Sequence, residues 1–161
     1  MKKLQLTTKT KQVLSIAFLV LAVLFFVLLF AFKDKLNDFA SKSIKAQAGS
    51  DIQNSESAFV DSAYNYTKNG LSDEITFLEF GAKGCSACKL METVMSQIRT
   101  KYPNRVNVVF VNIMLPANHP LMKYYGIAAI PLQVLLNKEG KEVFRHTGYY
   151  SAESLTQVIE R

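Results

Sequence analysis

The chain has 161 residues, about half of them hydrophobic, with two cysteines, no tryptophan and a formal net charge of +6. The charge is localised: residues 1–53 carry eight lysines against three aspartates, whereas residues 54–161 carry eleven basic and ten acidic side chains. That balance excludes a cationic nucleic-acid-binding face on the globular part, and the length allows one ordinary domain plus an appendage.

The appendage comes first. Val13 to Phe32 reads VLSIAFLVLAVLFFVLLFAF, with one hydroxyl and no charge. About twenty such residues span a hydrocarbon core roughly 30 Å thick. A cleaved signal has a shorter apolar core with a small-residue site close behind it; the nearest here, Ala46-Gln47-Ala48, lies roughly fifteen residues beyond Phe32. No cysteine follows the run to take a lipid, so 13–32 is expected to be an uncleaved transmembrane anchor in contact with the bilayer.

Orientation rests on the flanks. Lys2, Lys3, Lys9 and Lys11 precede the span, and Lys33, Lys35, Lys42 and Lys45 follow it, a tie on the positive-inside rule. The leading flank has no acid and adds the free amine, while Asp34, Asp38 and Asp51 dilute the other. Residues 1–12 are therefore expected to be a cytoplasmic tail, with the bulk of the chain outside, periplasmic or on the outer face. Residues 33–57 are polar and end rich in Gly, Ser and Asn. They read as a tether that, as a coil, would reach about 25–30 Å. Leu36, Phe39 and Ile44 leave a short interfacial helix as the alternative.

Regular patterning begins at residue 58. Phe59, Val60, Ala63 and Tyr64 recur at helical spacing, with Gly70 as a stop. Ile75 to Phe80 (ITFLEF) is a short apolar run with one acid, as in a strand covered on both faces. After a loop, Met91, Val94, Met95, Ile98 and Tyr102 fall three and four apart, predicting a helix ended by Pro103. Val106 to Ile113 predicts a second buried strand. Leu121 to Tyr125 reads as a brief helix closed by Gly126. Pro131 precedes the strand LQVLL, Asn137 to Lys141 is a turn, and EVFRH is the other arm of a hairpin. Ser151 caps a last helix carrying Leu155, Val158 and Ile159. The predicted order is α-β-α-β-α-β-β-α.

Both cysteines lie in GCSACK, residues 84–89. A strand, a short loop and Cys-x-x-Cys opening a helix put the first thiol at a helix N-terminus, where free N–H groups and the dipole favour a thiolate. The second, one turn on, is shielded and placed to attack the first once it is bound to a partner, the geometry of thiol–disulfide exchange. Lys83 and Lys89 flank the pair as pKa-tuning cations. Glu79, amid Phe77, Leu78 and Phe80, is a desolvated acid whose pKa should rise, suited to exchanging a proton with Cys88. A zinc site would need His119 and His146 as well, and their spacing is not of a metal type. A static staple is a poor use of so small a loop.

Residues 58–161 resemble the thioredoxin family in three separate stretches: FLEFGAKGCSACK, YYGIAAIP and TGYYSAESL. The resemblance implies a thioredoxin-like α/β fold, a central mixed sheet flanked by helices, and thiol–disulfide oxidoreductase activity with no cofactor beyond the Cys85–Cys88 disulfide. It implies that Cys85 is the nucleophile, Cys88 the resolving thiol, Pro131 a cis-proline facing the sulfurs, and Glu79 the buried acid beneath them. Ile130, Gly148 and Gly84 would line the groove that takes a substrate segment. Partners would be client proteins with cysteines or disulfides, and a transmembrane electron donor.

Departures from the family pattern leave potential and partner choice open. Gly84 stands where Trp is usual, Ser-Ala separates the cysteines in place of Gly-Pro, Phe110 stands where a lysine often faces the acid, and Leu132 follows Pro131 where Thr is usual. Disulfide-forming oxidases of the envelope are also similar around the first stretch, but they usually carry an inserted helical subdomain. Pro131 lies only 43 positions after Cys88, so a reductase is the expectation, with an oxidase or a non-catalytic tethered adaptor or holdase as the alternatives.

Overall fold

The structure, a computed structural model, describes residues 8–161. Lys2, Lys3 and the first seven residues of the expected 1–12 tail lie outside the described residues, as does the Lys9 side chain. The chain forms two compact units, one ending at Leu36 and one running from Asn37 to Arg161.

In the first unit, helix α1 (Thr8–Ala31) is long and apolar enough over Thr10–Ala31 to cross a membrane. Large apolar side chains such as Phe18, Leu21, Phe26 and Phe30 stand exposed along it. They recur with no polar face between them, so the helix has no side suited to water.

Residues 33–57 depart from the expected coil. They are helical over α2 (Lys33–Gln47) and the first half of α3 (Ser50–Tyr64). The reason is packing: Ser41 and Ala48 are buried, with Ile44 and Lys45 partly so, at the three- and four-residue spacing of one helix face. That face lies against Gly126, where a Cβ would strike the backbone oxygen of Ser41. A bare glycine admits the helix.

The rest of the second unit follows the predicted order: α4 (Tyr66–Asn69), β1 (Ile75–Gly81), α5 (Ser86–Lys101), β2 (Val106–Asn112), α6 (His119–Tyr125), β3 (Leu132–Leu136), β4 (Glu142–Thr147) and α7 (Ala152–Ile159). The four strands form one sheet in the order β2-β1-β3-β4. β1 pairs parallel to β2 and antiparallel to β3, and β3 and β4 form the hairpin. β2 is not the fully covered strand that its apolar letters suggest. It lies at the sheet edge, and Phe110 is 38% exposed.

Alternation along β1 sends successive side chains to opposite faces. Leu78 and Phe80 pack with Val60, Tyr64 and Tyr125 on the α3 and α6 side. Phe77 packs with Met91, Ile98 and Leu155 on the α5 and α7 side. Glu79 shares the face of Phe77, and so points beneath α5.

Candidate functional site

β1 delivers the chain through Gly81 into a four-residue loop that ends at Cys85, the N-cap of α5. Gly84 has φ +90 there, a conformation open mainly to glycine. The Sγ of Cys85 accepts a hydrogen bond from the Cys88 backbone N–H at 3.2 Å, satisfying one of the helix's free donors as a capping oxygen would.

Cys85 and Cys88 form a disulfide with Cα atoms 5.2 Å apart. The two sulfurs are not equivalent. Cys85 is half-buried and borders an open cleft of about 360 Å³ with Lys83, Gly84, Ser86, Lys89 and Glu92. Cys88 is only 3% exposed. Both lysines are exposed at the cleft rim, where each adds positive charge beside Cys85.

The other loops reach the same end of the sheet. Phe80 on β1 pairs with Leu132, the first residue of β3, which pairs in turn with Thr147 at the end of β4. The Ile130–Pro131 peptide is cis, and Pro131 is buried. Gly148, at φ +101, donates its N–H to the Pro131 carbonyl at 2.8 Å, tying the two loops together. The Tyr150 N–H then meets the sulfur of Met91 at 3.5 Å, bringing the following loop onto α5. The turns holding Gly84, Cys85, Ile130, Pro131 and Gly148 all leave one edge of the molecule. His146 stacks on Tyr150 with ring centres 4.6 Å apart, a packing role.

Beneath α5 lies Glu79, fully buried. Its register partners are Phe110 on β2 and Gln133 on β3. Burial pushes its carboxyl up to about 8, against a weaker opposing pull from the hydrogen bond that the Gln133 N–H donates. Gly81, two residues on and on the same face, fits against α5 because it has no side chain. A Cβ there would stand 3.4 Å from the Cβ of Cys88 and 2.8 Å from the ring of Phe110. Phe110, the register partner of Glu79, thus stands on the outer side of the acid's site, at the position where a lysine is often found in the pattern this chain departs from.

Gln133 is the residue that reading by pattern missed. It is fully buried, and its Nε2 donates to Glu79 Oε1 at 3.4 Å. Its one sequence signal was a polar letter inside the otherwise apolar run LQVLL.

The described thioredoxin-like domain family matches residues 61–161. Among characterised proteins, the chain is 25% identical over 93 residues to a thioredoxin of Chlamydia muridarum, covering 58% of this chain and 87% of that protein. It is 29% identical over 90 residues to thioredoxin 1 of a Nostoc species, covering 56% and 81%. Among solved structures, it is similar to the exposed lipoprotein thioredoxin of Streptococcus pneumoniae, with a TM-score of 0.50 at 20% identity over 56% of this chain and 87% of that one. It is likewise similar to thioredoxin-2 of a malaria parasite, with a TM-score of 0.50 at 23% identity over 54% and 82%. At these identities the solved structures speak for the fold.

Proposed function

Because the chain belongs to the thioredoxin-like family and is a thiol–disulfide oxidoreductase, we propose that it is anchored in a membrane by α1 and reduces protein disulfides outside the cytoplasm. The anchor reading is carried by α1, which is long and apolar enough over Thr10–Ala31 to cross a membrane and carries no charge from Val13 to Ala31. The reductase reading is carried by what lies between Cys88 and Pro131: the rest of α5, β2, a short turn and α6. No helical subdomain of the kind found in envelope oxidases intervenes.

In the working cycle, the Cys85 thiolate attacks a client disulfide, releasing one client sulfur and forming a mixed disulfide. Cys88 then loses its proton, with Glu79, buried beneath α5, as the acid–base group that takes it, and attacks the Sγ of Cys85. The intramolecular disulfide forms as the bond from Cys85 to the client breaks, so the client gains two electrons and the Cys85–Cys88 pair loses them. A donor within the membrane must return those electrons. The cis peptide at Pro131, Ile130 and Gly148 would hold an extended client segment beside Cys85, and Lys83 and Lys89 would stabilise its thiolate.

The test is the reduction potential of the full chain in detergent micelles, equilibrated in dithiothreitol or glutathione buffers. A value near that of thioredoxin, about −270 mV, supports a reductant, and one near −120 mV would make it an oxidant. Alkaline extraction of membranes, with protease added from each side, tests anchoring and orientation.

A further inference from the structure

Glu79 and Gln133 face each other across the β1–β3 ladder, both with no exposed surface. One edge of the pair is joined, Gln133 Nε2 to Glu79 Oε1 at 3.4 Å. The other edge is not. Glu79 Oε2 and Gln133 Oε1 are both buried without a hydrogen-bond partner, which is costly for any polar atom. Two such oxygens cannot satisfy one another unless a proton lies between them. A carboxylic acid supplies that proton, and a carboxylate does not.

We propose that protonated Glu79 and Gln133 form a two-point acid–amide pair, with Nε2–H donating to Glu79 Oε1 and Oε2–H donating to Gln133 Oε1. Gln133 is then a positioning residue. It acts through Glu79 and sets the pH above which that acid becomes a base for Cys88.

The direction of its effect follows from counting bonds. The acid form makes two neutral hydrogen bonds with Gln133. The ionised form keeps one charge-assisted bond, roughly twice as strong as a neutral one, so to this point the two forms are level. The ionised form also sets the Gln133 carbonyl against the second carboxylate oxygen, and that repulsion favours the acid.

No charge on neighbouring elements competes. β2 presents Phe110, α5 presents Cys88 and Met91, and the core on that face is completed by Phe77 and Leu155. Lys83, Lys89 and Glu92 line the solvent cleft around Cys85 instead.

The pair stands on the sheet whichever way electrons flow and whether or not α1 crosses a membrane. Its failure would leave the proposed function intact, and the reverse also holds. The experiment is a titration of the Glu79 carboxyl by 13C NMR in the oxidised full chain in micelles, assigned by its loss in Glu79→Gln. Wild type is compared with Gln133→Met, which keeps the side-chain length and removes both polar atoms. The expected result is a fall of one pH unit or more in the Glu79 midpoint. A rise would mean that Gln133 acts only as an N–H donor to the carboxylate, and no change would mean that it only packs; either overturns the pair. Should Gln133→Met not fold, wild type alone decides. The infrared carbonyl band of protonated Glu79 must lie at the frequency of a doubly hydrogen-bonded acid, and a free or singly bonded frequency overturns the proposal.

Discussion

The guanidinium of Arg145 donates to the hydroxyl of Ser41 at 2.8 Å, joining residues 104 apart in the chain. The same guanidinium donates to the Tyr125 carbonyl at 2.7 Å and to Glu142 at 2.7 and 3.0 Å. Burial works to raise the Glu142 carboxyl, and Arg145 and Lys45 together more than offset it, leaving it below its ordinary value. One side chain of β4 thus ties α2, the end of α6 and its own strand into a single knot.

A fragment beginning at Asn54 lacks Ser41, Lys45 and Ala48, and one beginning at Asn37 keeps them. Losing a hydrogen bond to a charged group costs about 1.5–3 kcal/mol, and losing the apolar burial that Ala48 provides adds about 1 kcal/mol. The shorter fragment is expected to be less stable by about 3 kcal/mol in urea unfolding. Equal stabilities would mean that the α2 contact contributes nothing.

Gly126 offers a sharper form of the same test. At φ +64, an alanine there costs about 1–2 kcal/mol from backbone conformation alone. In the longer fragment the new methyl also meets the Ser41 backbone, with Lys45 Cγ at 2.8 Å and Ser41 Oγ at 2.9 Å. Gly126→Ala should therefore cost over about 3 kcal/mol in the fragment from Asn37, overpacking adding about 1–3 kcal/mol. In the fragment from Asn54 only the backbone part remains. Matching penalties in the two fragments would show that α2 does not lie on Gly126.

Glu79 makes stability depend on pH with an unusual sign. Its pKa rises on folding from an ordinary 4.5 to about 8, so between those values the folded state holds a proton that the unfolded state has released. Stability must fall as pH rises through this window, by about 1.4 kcal/mol per unit at the steepest. The total is on the order of 5 kcal/mol for the oxidised protein. Glu79→Gln, uncharged throughout, should flatten the slope. Urea midpoints from pH 5 to 8 for both proteins check this, and parallel slopes would remove Glu79 as the cause.

The exposure difference within the disulfide predicts which thiol binds clients. Cys88→Ser should accumulate mixed disulfides through Cys85, visible as reductant-sensitive adducts on gels. Cys85→Ser should form at least tenfold fewer, because the remaining thiol lies 97% covered. Comparable adduct levels would sink the assignment of nucleophile and resolving thiol.

Much of this site was legible in the letters because it is local. A strand ending in glycine, two cysteines one turn apart and an apolar 3–4 stripe after them specify a capped helix and the face it buries. Glu79 was legible too, as one acid in an apolar strand. Gln133 was not, because its importance depends on the antiparallel register that sets it opposite Glu79, 54 residues away. A helix within 33–47 stood only as the alternative to a coil, resting on Leu36, Phe39 and Ile44; the face it buries, Ser41 and Ala48, looks polar and weak until Gly126 supplies a flat place to rest. β2 read as buried because an apolar run cannot tell a sheet's edge from its middle.

The half-buried Cys85 above the sealed Cys88 also governs what this protein cannot become. With only one sulfur at the surface, disulfide exchange here would engage one client at a time and could not clasp two proteins together. Every bond it made to a client would lie beside the thiol that severs it, so attachment would carry its own timer. A machine built this way would visit many substrates in succession and be retained by none.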